Sequence, residues 1–188
     1  MLDIGIPEDY VVAHTAIPQQ LHRPAVFFDR DGTLNKDAGY THKIAEFEWM
    51  EGAIDAIRAC NDAGYLVFVV TNQAGVAHGY YGTADVEKLH RWMNEQLFAH
   101  GAHIDDFRYC PFHPEGRDPN FAFASPYRKP GPKMLEDLIV RWYVDASHSL
   151  MIGDSQMDVD AGVAAGVRSV LWEGQALAVL VSSMLQQR

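Results

Sequence analysis

The amino-acid sequence predicts an α/β protein with a doubly wound, Rossmann-like, mainly parallel sheet and helices on both faces. Short apolar runs rich in β-forming residues alternate with segments whose apolar residues recur at helical spacing. Such alternation is typical of βαβ units, in which each crossover helix packs on the sheet. The composition, 48% hydrophobic and 21% charged, is ordinary for a globular domain. We expect a lead-in over residues 1–24 and a single domain over residues 25–188.

The first half of the domain predicts the order strand, helix, strand, helix. AVFF at 25–28 and YLVFVV at 65–70 are short β-forming runs, as in strands buried on both faces. Residues 52–63 carry apolar side chains at helical spacing and stop before Gly64. Residues 84–100 form a longer amphipathic helix between Thr83, a typical N-cap residue, and Gly101.

The second half contains one long loop among shorter elements. Prolines and the lack of any period predict a loop over residues 111–130. Further strands are predicted at 107–110, 149–152 and 169–172, and further helices at 132–143, 156–165 and 176–186. The connections 32–52 and 72–83 are too short for a large cap domain. Loops that could close over a small substrate lie at 35–40, 75–82 and 110–127.

Polar residues follow the predicted strands at their carboxyl ends, where open parallel sheets bind ligands. After the first strand stand Asp29, Asp31, Gly32 and Thr33, after the second Thr71 and Asn72, and after a later strand Asp154 and Asp158; Arg128 and Lys129 precede a helix. The fold should bring these side chains to one edge of the sheet.

The acidic residues of this set predict a magnesium site. Clustered carboxylates repel one another, and Mg²⁺ prefers oxygen ligands. We expect Asp29 and Asp154 to bind it through their side chains and Asp31 through its backbone carbonyl. Asp158 either orients the metal's surroundings or supports a helix N-terminus.

The same carboxylates predict phosphoryl transfer. A carboxylate held against a metal can attack phosphorus, so Asp29 is the candidate nucleophile of an aspartyl-phosphate mechanism. The side chain of Asp31 is then free to protonate the leaving alcohol and later to deprotonate the attacking water.

The remaining polar residues are assigned to the substrate. Thr71 and Lys129 would hold the reacting phosphoryl group, which leaves Arg128 free for a second anion that suits its planar fork. Gly32 and Thr33 are assigned to substrate binding, and Gly32 would let the backbone approach the substrate. Asn72 either contacts the ligand or supports its turn.

Four ordered motifs, DRDGT, TN, Lys129 and GDSQMD, resemble the haloacid dehalogenase superfamily of phosphatases. DRDGTLNKDAGY, TNQAGVAHG, YCPFHPEG and RKPGPKML are similar to its histidinol-phosphate and heptose-bisphosphate phosphatase branch, with heptose-bisphosphate members the closer match. The resemblance covers about residues 25–173. It implies Asp29 as nucleophile and Asp31 as general acid and base, and a monomer. It also implies magnesium at Asp29, Asp154 and the Asp31 carbonyl, with Thr71 and Lys129 on the phosphoryl group. Histidinol phosphate or another sugar phosphate is the alternative substrate.

Two features of the sequence depart from the pattern of that branch. The branch commonly has a structural zinc; here Cys110 is in register, but Phe112, Ser125 and Tyr127 occupy the other ligand places. We therefore expect no zinc and a loop held by apolar packing, with a ligand from His113 as the alternative. Ser155 stands where a lysine is frequent, which leaves the exact substrate open.

Charge and composition exclude several functions. The net charge is −10, and no basic stripe exists to neutralise nucleic-acid phosphates. No apolar run approaches the roughly 18 residues of a membrane span. Two cysteines make no disulfide framework, so we expect a cytoplasmic protein. The expected partner is a small phosphorylated metabolite. A signalling receiver domain is the alternative from another class, although receivers lack DxDGT.

Overall fold

A computed structural model describes residues 22–186 and contains one sheet of five strands. The strands are β1 (Ala25–Phe28), β2 (Leu66–Asn72), β3 (Asp106–Cys110), β4 (Leu150–Gly153) and β5 (Arg168–Leu171). Every neighbouring pair is parallel, in the order β3-β2-β1-β4-β5. The chain thus winds outward from β1 in both directions, which confirms the predicted doubly wound sheet.

The helices are α1 (Ala53–Asp62), α2 (Ala74–Ala77), α3 (Thr83–Phe98), α4 (Lys133–Trp142), α5 (Gln156–Ala164) and α6 (Leu177–Leu185). Short 3₁₀ turns lie at Ile44–Glu46 and Ala146–His148. The sequence did not predict α2, because four residues are too few to show a helical period. The prediction of Thr83 as N-cap was wrong. Thr83 is the first helical residue, and the backbone N–H of Gly82 donates to the Asp85 carboxylate at 2.9 Å.

The helices cover both faces of the sheet. Buried side chains of α1, α3 and α6 pack with Val26 and Phe28 on one face, and those of α4 and α5 pack with Ala25 and Phe27 on the other. Side chains alternate between the faces of a strand, so a central strand with both faces covered must be apolar throughout. This accounts for the unbroken AVFF run.

The connections between β1 and α1 and between β2 and α3 contain only short turns and α2. No helix among residues 22–186 is long and apolar enough to cross a bilayer. The predicted lead-in lies almost entirely outside the described residues, and its separation from the domain stays a prediction.

Candidate active site

The carboxyl ends of β1, β2 and β4 lie side by side and carry the predicted catalytic residues. The backbone N–H of Asp29 donates to the carbonyl of Ile152 at 2.9 Å, which ties the end of β1 to β4. Thr71 lies one residue before the end of β2, and Asp154 directly follows β4. Parallel pairing therefore gathers residues that are far apart in the sequence.

Lys129 connects two acids at this edge. Its buried ammonium Nζ lies 2.6 Å from Asp29 Oδ1 and 2.6 Å from Asp158 Oδ1, and it donates to the carbonyl of Val70 at 2.8 Å. Asn72 fixes the backbone that carries it, because its side chain accepts from the N–H and donates to the carbonyl of Lys129, at 3.0 and 3.1 Å. Both polar atoms of Asn72 thus support the lysine loop.

Both carboxylate oxygens of Asp158 are bonded to other residues of the protein. Besides the bond to Lys129, its Oδ2 accepts from the backbone N–H and the hydroxyl of Ser155, at 3.0 and 2.6 Å, at the N-terminus of α5. Asp158 is nearly fully buried. It therefore supports the helix N-terminus and positions Lys129 at the same time.

Burial and charge act against each other at Asp29. Burial raises the pKa of Asp29 to about 7, although the Lys129 ammonium lowers it, and the nearby Asp158 carboxylate raises it further. The pKa of Lys129 is raised, since the two acids outweigh the effect of burial. The lysine is therefore charged and holds the acids together.

Three carboxylates meet where a cation would fit. Asp29, Asp154 and Asp158 have oxygens that all lie within 4.8 Å of one another. Burial and the charge of Asp158 also raise the pKa of Asp154, as expected where negative charge is in excess. One lysine balances only part of this charge, and oxygen-only donors suit a hard divalent cation such as Mg²⁺.

Gly32 leaves space for the carboxylate of Asp154. Its φ is +86°, and a Cβ there would overlap the Asp154 carboxylate. The Gly32 backbone therefore lies close to Asp154, and its predicted approach to the substrate stays a prediction. Thr33 beside it is fully buried, with no bond to its hydroxyl from any described residue, and its predicted substrate contact stays a prediction.

This contact predicts the effect of Gly32→Ala. We expect the variant to displace Asp154 and to need a higher Mg²⁺ concentration for half-maximal activity. Gly39→Ala is the matched control, because Gly39 has a similar φ of +78° but no atom within 4 Å of the place its new methyl group would take. Magnesium titration of both variants checks this, and equal shifts would mean that backbone strain alone explains the result.

Asp31 is held by several donors. Arg30 Nη2 lies 2.9 and 2.8 Å from its two oxygens, Asn35 Nδ2 donates at 3.1 Å and Gln73 Nε2 at 2.8 Å. Gln73 also donates to the Thr71 hydroxyl at 2.9 Å and accepts from the Tyr81 hydroxyl at 2.8 Å. Gln73 therefore connects two predicted catalytic residues.

Arg30 is fully buried and extends this network inward. It donates to the carbonyl of Thr41 at 2.6 Å and lies 3.3 Å from His90 Nε2. Burial, followed by the charge of Arg30, holds the pKa of His90 well below its usual range, so the neutral ring accepts from the guanidinium.

Sequence reasoning missed Arg30, Gln73, Tyr81 and His90. Arg30 and Gln73 lie inside the DRDGT and TNQ motifs, and their positions beside assigned residues were a usable signal. Tyr81 and His90 carry no local signal, because their partners are defined only by the folded chain.

The loop between β3 and α4 is held by aromatic packing. Phe112 lies 4.4 Å from Phe123 and 5.8 Å from Phe121 between ring centroids, and the Tyr127 hydroxyl donates to Asp137 at 2.7 Å. Cys110 is fully buried. Two of the places that zinc ligands would occupy thus serve packing or a hydrogen bond, and the absence of zinc stays a prediction.

Arg128 stands before Lys129 with an unused donor. Its Nη1 is buried and has no hydrogen-bond partner in the described part of the chain. Burial raises the pKa of Cys110, and the charge of Arg128 acts against this rise. Burial, followed by the charge of Arg128, lowers the pKa of His113.

Comparison with known proteins places the chain in a family. A family model described as HAD-hydrolase-like matches residues 126–175. The D-glycero-beta-D-manno-heptose-1,7-bisphosphate 7-phosphatase of Rhodopseudomonas palustris is 47% identical over 163 residues, which cover 87% of this chain and 91% of that protein. The protein of the same name from Escherichia coli (strain K12) is 42% identical over 144 residues, or 77% and 75% of the two chains.

A solved structure extends the similarity to the fold. The D,D-heptose 1,7-bisphosphate phosphatase from B. bronchiseptica, complexed with magnesium and phosphate, superposes with a TM-score of 0.76 at 28% identity, covering 88% of this chain and 99% of that one. The chain is a phosphatase of the haloacid dehalogenase type, and hence a phosphoric monoester hydrolase. Within that class it belongs to the family of the D-glycero-beta-D-manno-heptose-1,7-bisphosphate 7-phosphatases. The receiver-domain alternative is therefore rejected.

Proposed function

We propose that this enzyme removes the 7-phosphate of D-glycero-β-D-manno-heptose 1,7-bisphosphate with Mg²⁺, through an aspartyl-phosphate on Asp29. The observation that carries the proposal is the Asp29 carboxylate, held by Lys129 at the end of β1 beside Asp154. The names of the relatives support the substrate, and the magnesium and phosphate bound by the B. bronchiseptica protein support the cofactor. Histidinol phosphate or another sugar phosphate is the alternative.

The metal would be held by Asp29 and Asp154 and by the backbone carbonyl of Asp31. When bound, Mg²⁺ neutralises charge on the carboxylates and on the phosphoryl oxygens. Asp158 is less suited to bind it directly, because its oxygens already bond Lys129 and Ser155.

In the first step Asp29 attacks phosphorus and displaces the sugar oxygen, which takes a proton from the carboxylic acid form of Asp31. In the second step the Asp31 carboxylate takes a proton from water, and the water oxygen attacks the phosphorus of the aspartyl-phosphate. Phosphate leaves and Asp29 is regenerated. The Lys129 ammonium and the Thr71 hydroxyl would hold the phosphoryl oxygens throughout.

Hydrogen bonds hold the Asp31 carboxyl group in place. Arg30 donates to both of its oxygens and Gln73 donates to one of them, which fixes the orientation of the group. Gln73 and Arg30 are therefore positioning residues in this proposal. A monomeric state and a cytoplasmic location stay predictions from the sequence.

A substrate panel with controlled metal tests the proposal. We expect the purified protein to release one phosphate from the bisphosphate in Mg²⁺, with lower kcat/KM on histidinol phosphate, and to lose turnover on chelation. Asp154→Asn should raise the Mg²⁺ requirement, whereas Asp160→Asn, an exposed control on α5, should not. Full turnover after exhaustive chelation would reject the proposed metal requirement. A preference for histidinol phosphate would reject the proposed substrate.

A further inference from the structure

His90 is a buried imidazole on α3, behind the catalytic edge. Its Nε2 lies 3.3 Å from Nη1 of Arg30, the fully buried arginine that donates to Asp31. The two residues that make this contact lie 60 positions apart in the sequence. Burying an imidazole costs free energy unless its nitrogens are bonded, so the contact with Arg30 accounts for its place in the core.

The guanidinium of Arg30 is held at each of its three nitrogens. Nε lies 3.2 Å from Asp31 Oδ1, and Nη2 lies 2.9 and 2.8 Å from the two oxygens of that carboxylate. Nη2 also donates to the carbonyl of Thr41 at 2.6 Å. Within residues 22–186, the acceptor for Nη1 is His90. The imidazole therefore completes the set of contacts that fixes the plane of the guanidinium.

The guanidinium also fixes which nitrogen of His90 carries the proton. The nitrogens of an arginine side chain can only donate, so Nε2 of His90 presents its lone pair and the neutral ring carries its proton on Nδ1. Burial, followed by the charge of Arg30, holds the pKa of His90 well below its usual range, which keeps the ring neutral. A protonated ring would place a second cation against Arg30 and would offer it no acceptor.

A neutral acceptor at this place has a consequence for Asp31. A carboxylate in the place of His90 would compete with Asp31 for the charge of the guanidinium and would attract the guanidinium away from the catalytic turn. The imidazole holds Nη1 without such competition. In the described part of the chain, the carboxylate bonded to Arg30 is accordingly that of Asp31.

The ring of His90 is itself held by packing. It stacks on Phe107 of β3, with ring centroids 4.5 Å apart and an interplanar angle of 17°, and the ring of Tyr109 lies edge-on to it at 6.0 Å. Both aromatic residues belong to a strand of the sheet. The sheet therefore holds the imidazole in the orientation that meets Arg30.

We propose that His90 is a positioning residue for phosphoryl transfer: it fixes the Arg30 guanidinium, which orients the Asp31 carboxyl group toward the leaving oxygen. The proposal rests on the proposed function in one respect, the role of Asp31 as the acid that protonates the leaving alcohol. It does not depend on which phosphate ester is the natural substrate. His90 acts through Arg30, so its removal should slow proton transfer to the leaving group more than it weakens substrate binding.

Methionine and glutamine variants separate the acceptor from the volume of the side chain. His90→Met fills a similar volume without a strong acceptor, whereas the amide oxygen of His90→Gln can replace Nε2 as the acceptor for Nη1. We expect His90→Met to lower kcat/KM for the heptose bisphosphate roughly 10-fold, a part of the usual contribution of a general acid. His90→Gln should retain most of the wild-type value.

The leaving group provides a readout that a purely structural role would not change. p-Nitrophenolate leaves without being protonated, so kcat/KM for p-nitrophenyl phosphate, which reports the steps up to release of the phenol, should fall less than about 2-fold in His90→Met. Asn94→Met is the matched control. Asn94 lies one turn further along α3 and bonds the backbone of Ile104, at 2.8 and 2.9 Å, instead of Arg30. The control should affect both esters equally.

Nitrogen NMR of the histidines tests the contact without any assay of activity. The wild type should show His90 neutral with its proton on Nδ1, and a proton on Nε2 would overturn the proposal. Equal losses on the two esters in His90→Met, unchanged kinetics on both, or equal losses in His90→Met and His90→Gln would overturn it as well. If the wild type prefers another alkyl phosphate to the heptose bisphosphate and His90→Met still separates alkyl from p-nitrophenyl esters, the proposed substrate is wrong and the role of His90 stands.

Discussion

Asp29→Asn is expected to abolish phosphatase turnover, with kcat lowered by roughly 10⁴-fold or more, as when other enzymes lose a nucleophile. An amide cannot form the aspartyl-phosphate. Among the described residues, the other carboxylate bonded to Lys129 is that of Asp158, and it is also bonded to Ser155, so it cannot replace Asp29 as nucleophile. Phosphate release from the bisphosphate in saturating Mg²⁺ measures the loss.

The fold should survive this change. Lys129 keeps Asp158 and the carbonyl of Val70 as partners, and the asparagine oxygen can still accept from it. Removing a buried charge also removes its desolvation cost, so we expect a melting temperature close to that of the wild type. Asp62→Asn, an exposed change at the end of α1, is the control for both measurements.

Asp31→Asn should lose turnover as well, because the amide can neither protonate the leaving group nor activate water. Near wild-type turnover in either variant would reject the assigned mechanism. A melting temperature far below that of Asp62→Asn would mean that the lost activity reports unfolding.

The sequence could predict those site residues that belong to short local motifs. Asp29 and Asp31 follow a run that is apolar because both faces of β1 are covered, and the edge where they lie follows from the parallel order. The sequence predicted strand boundaries less well, because pairing with the neighbouring strand decides where a strand ends. β2 continues to Asn72 since Asn72 pairs with Cys110 on β3, where the apolar run alone predicted an end at residue 70.

The rest of the site depends on contacts between distant segments. Composition gives no sign that Arg30 is fully buried, because a buried guanidinium is tolerated only with its partners in place, here Asp31, the carbonyl of Thr41 and His90. The stacking of His90 on Phe107 likewise depends on α3 packing against β3. Such contacts arise from tertiary structure and leave no periodic pattern in the sequence.

Lys129→Met should destabilise the protein strongly. The lysine is 3% exposed and lies 2.6 Å from both Asp29 and Asp158, so its removal leaves two buried carboxylates without their cation. Breaking a buried charge pair in this way costs about 3–5 kcal/mol in the free energy of unfolding. Urea unfolding in the presence of a chelator measures this cost, and turnover should be lost as well.

The matched control is Lys133→Met on α4. Lys133 pairs with Glu136 and Asp137 at the surface, where such pairs contribute about 0–1 kcal/mol, so a small change is expected. The double variant Lys129→Met/Asp158→Asn separates charge repulsion from lost packing. If repulsion dominates, the added Asp158→Asn change costs less in this background than in the wild type, although Asp158 also caps α5. Wild-type stability of Lys129→Met without metal, or strict additivity in the cycle, would show that the lysine does not hold the two acids together.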